Sequence, residues 1–368
     1  MVAVLSVLIL FAGCGDDDGT VDAADVGDTG VDAPDSGSSD ARADTGPGFT
    51  CPEAIVPIPA RTSPSPLGPM DDVLRLDHLQ VKGTHNSYHV APPEHAIPDW
   101  EYTHVPLDEQ LESQGVRAVE LDVNWNARCR RYEVYHVGLL DEVTTCFLLS
   151  ECLGVMRAWS DENPGHVPIL VQIEVKDFPD ETTAERLDAL DAEIRAIWPD
   201  EMRISPDDVR GTHASVREGI VTDGWPTLAE VRGKALFFLN DGGDTRDAYT
   251  SDRTTLAGRV MFAEAGAGEP VESVLVLNSP DDPRVATAVP AGFLVRTRAD
   301  SGGVEARAND TTRRDAALAS GAHIVSTDFP APVEGLDYWV EIPGGMPARC
   351  NPVSAPSECT AEAVALAR

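Results

Sequence analysis

The sequence predicts an α/β protein, a single (β/α)8 barrel of the TIM type with irregular repeats allowed for. Three observations carry that expectation. Short Val/Ile/Leu-rich runs recur over about 260 residues, as strands buried on both faces do. Stretches with helical spacing and helix stop signals lie between them. The runs also end on polar residues, and in a barrel the C-terminal strand ends build the active site. An open doubly wound sheet is the alternative, but no Gly-rich fingerprint follows the first strand.

In chain order the runs are "HLQVKGTH", "GVRAVELDVNW", "RYEVYHVG", "VPILVQIEVKD", "KALFFLN", "RVMFAEAG", "SVLVLNS", "GFLVRTRAD" and "AHIVSTDF". Between two of them, "DETTAERLDALDAEIRAIWP" places Leu187, Leu190, Ile194 and Ile197 on one helical face, with Pro at the end. "NDTTRRDAALASGA" offers an Asn-Asp-Thr start and a Gly stop just before the last strand.

The termini differ from this barrel. Residues 1–14, "MVAVLSVLILFAGC", form an apolar run too short to span a bilayer and read as a signal-peptide core. The ending Phe11-Ala12-Gly13-Cys14 resembles a bacterial lipoprotein signal, which implies a lipidated Cys14 and a protein held at a membrane, with plain secretion as the other outcome. No Lys or Arg precedes the run, and Phe11 stands where Leu is usual. Residues 15–48 hold ten Asp and one Arg and read as a solvated acidic linker. The barrel is assigned to 49–345 and a C-terminal extension to 346–368.

Composition narrows the function. In 368 residues, 62 acidic against 28 basic side chains give a net charge of −34. Such a field repels nucleic acid and favours cations. Apart from Cys14 there are six cysteines, an even set that in an exported chain suggests disulfides, and Cys350 with Cys359 closes a short loop. No CxxC or His-Cys cluster argues for zinc. No feature calls for a protein partner, so a monomer is expected.

At the strand ends, the first run stops at His85-Asn86. The second carries Glu120 and Asp122 two residues apart on one face, the third reaches His136, and a later one carries Glu174 and Lys176. Carboxylates inside a barrel cost several kcal/mol each if unpaired, and a shared cation is the simplest remedy. Asn86, Glu120, Asp122 and Glu174 offer oxygen donors, which suit Ca2+ better than zinc or copper. His85 and His136 are then left for proton transfer, and two imidazoles beside such a cation suit phosphodiester cleavage.

The order His-Asn, Glu-x-Asp, His, Glu-x-Lys resembles the catalytic barrel of the phosphoinositide-specific phospholipases C. "GTHNSYH", "ELDVNW", "IEVKD", "GWPTLAEVRGKALFFL", "LVRTRAD" and "RRDAALASGAHIVSTDFP" resemble its secreted calcium-dependent branch, over roughly residues 70 to 340. The resemblance implies catalytic His85 and His136 and calcium ligands Asn86, Glu120, Asp122 and Glu174. It implies attack by the inositol 2-hydroxyl on its own phosphate, releasing diacylglycerol and a cyclic inositol phosphate at a membrane surface. His136 is then the acid for the leaving oxygen, and either His85 or Glu120 the base. Lys176 either meets a phosphoryl oxygen or balances the acidic cluster. Arg296, Arg298, Asp300 and Asp328 either read the inositol ring or balance one another. Trp125 is assigned to packing at the barrel rim, and the other histidines, His89 among them, to structural or surface roles. No Lys/Arg cluster marks a polyphosphoinositide pocket, which favours plain phosphatidylinositol. Two rivals stand. A glycerophosphodiester phosphodiesterase would show His-Arg in place of His85-Asn86. A non-catalytic inositol- or glycan-binding module would have no use for the paired histidines.

Overall fold

The computed structural model describes residues 50–93, 97–176, 183–251, 255–345 and 347–364. The signal assigned to 1–14 with Cys14, the linker assigned to 15–48, and His95 lie outside the described residues. In chain order the strands are β1 (Leu79–Thr84), β2 (Val116–Asn126), β3 (Arg131–Val134), β4 (Ile169–Val175), β5 (Arg203–Ile204) and β6 (Ala235–Leu239). They continue as β7 (Phe262–Ala263), β8 (Val274–Val276), β9 (Leu294–Arg298), β10 (Ile324–Thr327) and β11 (Ala348–Cys350).

Parallel pairing runs from β1 through β2, β4, β6 and β7, and from β8 through β9 and β10 back to β1. One parallel bridge, Glu264 to Val274, joins the β7 and β8 sides and closes the eight-stranded ring. This is the expected barrel, irregular at that seam. Nothing among the described residues 264–273 forms a helix between β7 and β8, so the usual crossover layer is missing there.

One run departs from the expected parallel ring. "RYEVYHVG" supplies β3, which pairs antiparallel with β2 from Val123–Val134 to Asn126–Arg131. The reason is length: the link from Asn126 to Arg131 is far too short for a crossover, which takes a dozen or more residues. A hairpin results, and it still carries His136 to the barrel mouth.

Alternation along β2 sets the interior. Val119, Leu121 and Val123 are buried in the hydrophobic cluster that also takes Leu153, Met156, Leu187, Leu190 and Ile194 from the outer helices. Glu120 and Asp122 lie on the opposite face. On β1, Gly83 is a requirement of space: a Cβ there would meet Ala118 Cβ and Ile324 Cγ2, each at 3.0 Å. The predicted helix forms over Ala184–Ile197, with Thr183 accepting the Arg186 N–H at its start. β11 pairs antiparallel with β1, so residues of the C-terminal segment join the barrel sheet. The disulfides are Cys51–Cys129, Cys146–Cys152 and the expected Cys350–Cys359.

Candidate active site

β1 ends where its chain is pinned by neighbours. His85 donates its N–H to Thr327 O at 3.1 Å, and Ser87 donates to Glu120 O at 3.0 Å. Ser87 Oγ accepts the Glu120 N–H at 2.8 Å. Between them Asn86 takes φ +42, a left-handed conformation that Asn tolerates better than most residues.

One ligand atom each from Glu120, Asp122 and Glu174 lies within 4.8 Å of the others. Asp122 and Glu174 face each other directly in the β2–β4 register, an arrangement that repels unless a positive charge intervenes. Lys176 meets that charge: its ammonium contacts Glu174 Oε1 and lies 3.1 Å from Asp122 Oδ2. Otherwise the fully buried Asp122 oxygens have no hydrogen-bond partner. Burial raises the Asp122 carboxyl against the pull of Lys176, and the Glu174 charge raises it further. Burial pushes Glu174 up, but Lys176, with His85 and the Asn240 hydrogen bond, brings it below its ordinary value. A further carboxyl, Asp241, accepts the Val175 N–H at 3.0 Å, and burial pushes it up to about 8. An all-oxygen set with a buried, unsatisfied carboxylate fits a hard divalent cation such as Ca2+.

The two histidines reach this mouth with different supports. His85 Nδ1 bonds Asp328 Oδ1 at 2.8 Å. Arg298 Nη2 donates to Asp328 Oδ2 at 3.0 Å, and its Nη1 lies 3.5 Å from His85 Nε2. Burial and the Arg298 charge lower the His85 imidazole, outweighing Asp328, which favours a neutral ring that can take a proton. The Asp328 carboxyl, despite its burial, is held well below the usual range by Arg298 and then His85. His136 bonds Asp141 Oδ2 through Nδ1 at 2.9 Å, and Trp100 meets its ring edge-on at 5.3 Å. Tyr102 stands between the two sides, with its hydroxyl 3.3 Å from His85 Nδ1 and its ring 4.4 Å from that of His89.

The structure thus gathers Glu120, Asp122 and Glu174, and places His85 and Asn86 at the end of β1 and His136 just beyond β3. Arg296 reaches across the interior to Glu120 Oε2 at 2.7 Å and to Ser326 Oγ at 3.2 Å, while Arg298 pairs with Asp328. The four strand-end charges therefore do not balance only one another, since Arg296 is committed to Glu120. Trp125 packs at the rim, edge-on to Tyr132 at 5.0 Å. Sequence reasoning missed Asp141, which follows His136 by five residues at the end of the apolar turn Val137-Gly138-Leu139-Leu140, and Asp241, which sits in the turn signal "NDGG" after β6.

Fold and carboxylate cluster together define a barrel phosphodiesterase of the cation-dependent class. A model of the family described as phosphoinositide phospholipase C, Ca2+-dependent, matches residues 74–133 and 126–352. The chain belongs to that family. Solved structures share the fold at low identity. A Ca2+-dependent phosphatidylinositol-specific phospholipase C from Streptomyces antibioticus is 23% identical with TM-score 0.52, over 70% of this chain and 96% of that one. The myoinositol complex of a calcium-dependent phosphoinositol-specific phospholipase C from a Pseudomonas species is 18% identical with TM-score 0.54, over 79% of this chain and 100% of that one. Curated protein sequences yield no significant match.

Proposed function

We propose that the protein is a calcium-dependent phosphodiesterase that cleaves phosphatidylinositol, or a related inositol phospholipid, into diacylglycerol and a cyclic inositol phosphate. The observation that carries this reading is the carboxylate trio Glu120, Asp122 and Glu174 at the mouth where His85 and His136 each rest on a carboxylate. Asn86, Glu120, Asp122 and Glu174 would hold the ion. Bound calcium supplies neutralisation of charge that develops on the phosphoryl oxygens.

His85 is the better base. Its neutral ring, oriented by Asp328, accepts the proton of the inositol 2-hydroxyl as that oxygen forms the new P–O bond. Glu120 is less suited because Arg296 occupies one of its oxygens. The P–O bond to diacylglycerol breaks, and His136 gives its proton to the departing oxygen. Arg298, beside His85 Nε2, is placed to meet the phosphoryl group or the inositol ring. Lys176 acts first as the balancing charge of Asp122 and Glu174.

A membrane surface as the site of action is supported by the turn after His136, where Leu139 is 80% and Leu140 64% exposed. Three disulfides suit an oxidising compartment outside the cytosol, and lipidation at Cys14 would tether the barrel to a membrane. Among the described residues no helix is long and apolar enough to cross one. Phosphorus NMR of the products tests the reading: phosphatidylinositol with calcium should yield a cyclic inositol phosphate that vanishes when a chelator is added. Free glycerol phosphate from a deacylated diester, with phosphatidylinositol untouched, would instead identify a glycerophosphodiester phosphodiesterase.

A further inference from the structure

Asp141 closes a tight turn back onto His136. Val137 N–H donates to Asp141 O at 3.1 Å and Asp141 N–H to Val137 O at 2.8 Å, which returns the carboxylate to the imidazole that began the turn. Asp141 is 1% exposed. One of its oxygens, Oδ2, meets both His136 Nδ1 and His89 Nε2, each at 2.9 Å. His89 is fully buried, and its Nδ1 donates to the Tyr102 carbonyl at 3.0 Å. The result is a fixed chain from the Tyr102 backbone through His89 and Asp141 to His136, with Trp100 against the His136 ring. His89, whose sequence offers only a structural reading, is therefore part of this support.

We propose that Asp141 is the positioning residue for the leaving-group acid. It holds His136 with Nδ1 inward, so that Nε2 is the nitrogen that delivers the proton, and His89 fixes Asp141 from behind. The proposal rests on the phospholipase reading and deepens it. Without Asp141 the imidazole can turn over or take the other tautomer, and proton delivery in the transition state suffers while substrate binding does not. An alkoxide such as that of diacylglycerol leaves poorly unless protonated. A nitrophenolate leaves without help, so a diester of inositol phosphate with 4-nitrophenol needs the acid far less.

The test compares these two leaving groups in the full chain and in its Asp141→Asn and Asp141→Ala variants. For phosphatidylinositol, kcat should fall ~100-fold with KM changed less than ~3-fold. For the nitrophenyl diester kcat should fall less than ~10-fold, so the ratio of the two rates moves by ~10-fold or more. Both rates come from one preparation, so the folded fraction cancels in the ratio. Equal losses on the two substrates, or no loss on either, in both variants overturns the proposal. Turnover of phosphatidylinositol by the unmodified chain is read in the same assay. Its absence would sink the phospholipase reading, whereas its presence with an unchanged ratio would sink only the role of Asp141.

Discussion

A carboxylate taken out of water must find a positive charge, find donors or stay protonated, and two acids here take different routes. Asp122 sits opposite Glu174 with Lys176 between them, which is a place for a cation. Glu193, on the helix Ala184–Ile197, accepts the Tyr132 N–H at 3.0 Å, and burial pushes it up to about 7 against that hydrogen bond. Its folded-state value thus lies above the ordinary one. The stability that comes from the neutral form is complete below the ordinary glutamate range and is lost as pH rises through about 7. Glu193→Gln should therefore be more stable than the native chain by ~2 kcal/mol above that pH, and the gain should disappear toward the ordinary glutamate value. Urea unfolding at both ends of the range checks this, and equal stability throughout would contradict the burial argument. At this scale much of the site is legible in sequence, because His85-Asn86, Glu120-x-Asp122 and Glu174-x-Lys176 each break an apolar strand. Asp141 and Asp241 are not, because a turn aspartate looks the same whether it faces water or a buried imidazole.

Among elements, continuous Val/Ile/Leu runs and the helix of Leu187, Leu190, Ile194 and Ile197 are readable because burial imposes a period on them. Pairing is harder. "RYEVYHVG" has the composition of a ring strand, and only the shortness of its link to β2 marks it as a hairpin partner. Phe262–Ala263 and Val274–Val276 are much shorter than the runs that contain them, since the seam between them is a single bridge and gives the backbone little to pair with. The turn after His136 shows what composition does not reveal. Leu139 and Leu140 look like candidates for a core, yet Leu139 takes φ +67 and points out of it. An exposed leucine in a disfavoured backbone conformation is readable only from the structure.

For the whole molecule, a net charge of −34 works against association with anionic lipid, so contact with a membrane has to come from apolar groups or an anchor. The devices we propose are the Leu139–Leu140 turn and lipidation at Cys14. Protein lacking residues 1–48 should pellet with phosphatidylinositol-containing vesicles, and Leu139→Ser with Leu140→Ser should weaken that binding ~10-fold. In cells, Cys14→Ser should move the full chain from the membrane to the soluble fraction. Unchanged partitioning in either experiment would remove the corresponding device.

The proposed chemistry separates two jobs at one mouth: carboxylates hold a cation and histidines move protons. Calcium titration calorimetry with the full chain, read beside turnover of phosphatidylinositol, tests that separation most directly. His136→Ala should bind calcium as the native chain does while losing ~100-fold or more in rate, and Asp122→Asn should lose at least ~10-fold in calcium affinity together with its activity. Unaltered calcium affinity in Asp122→Asn, or calcium binding lost with His136, would contradict it.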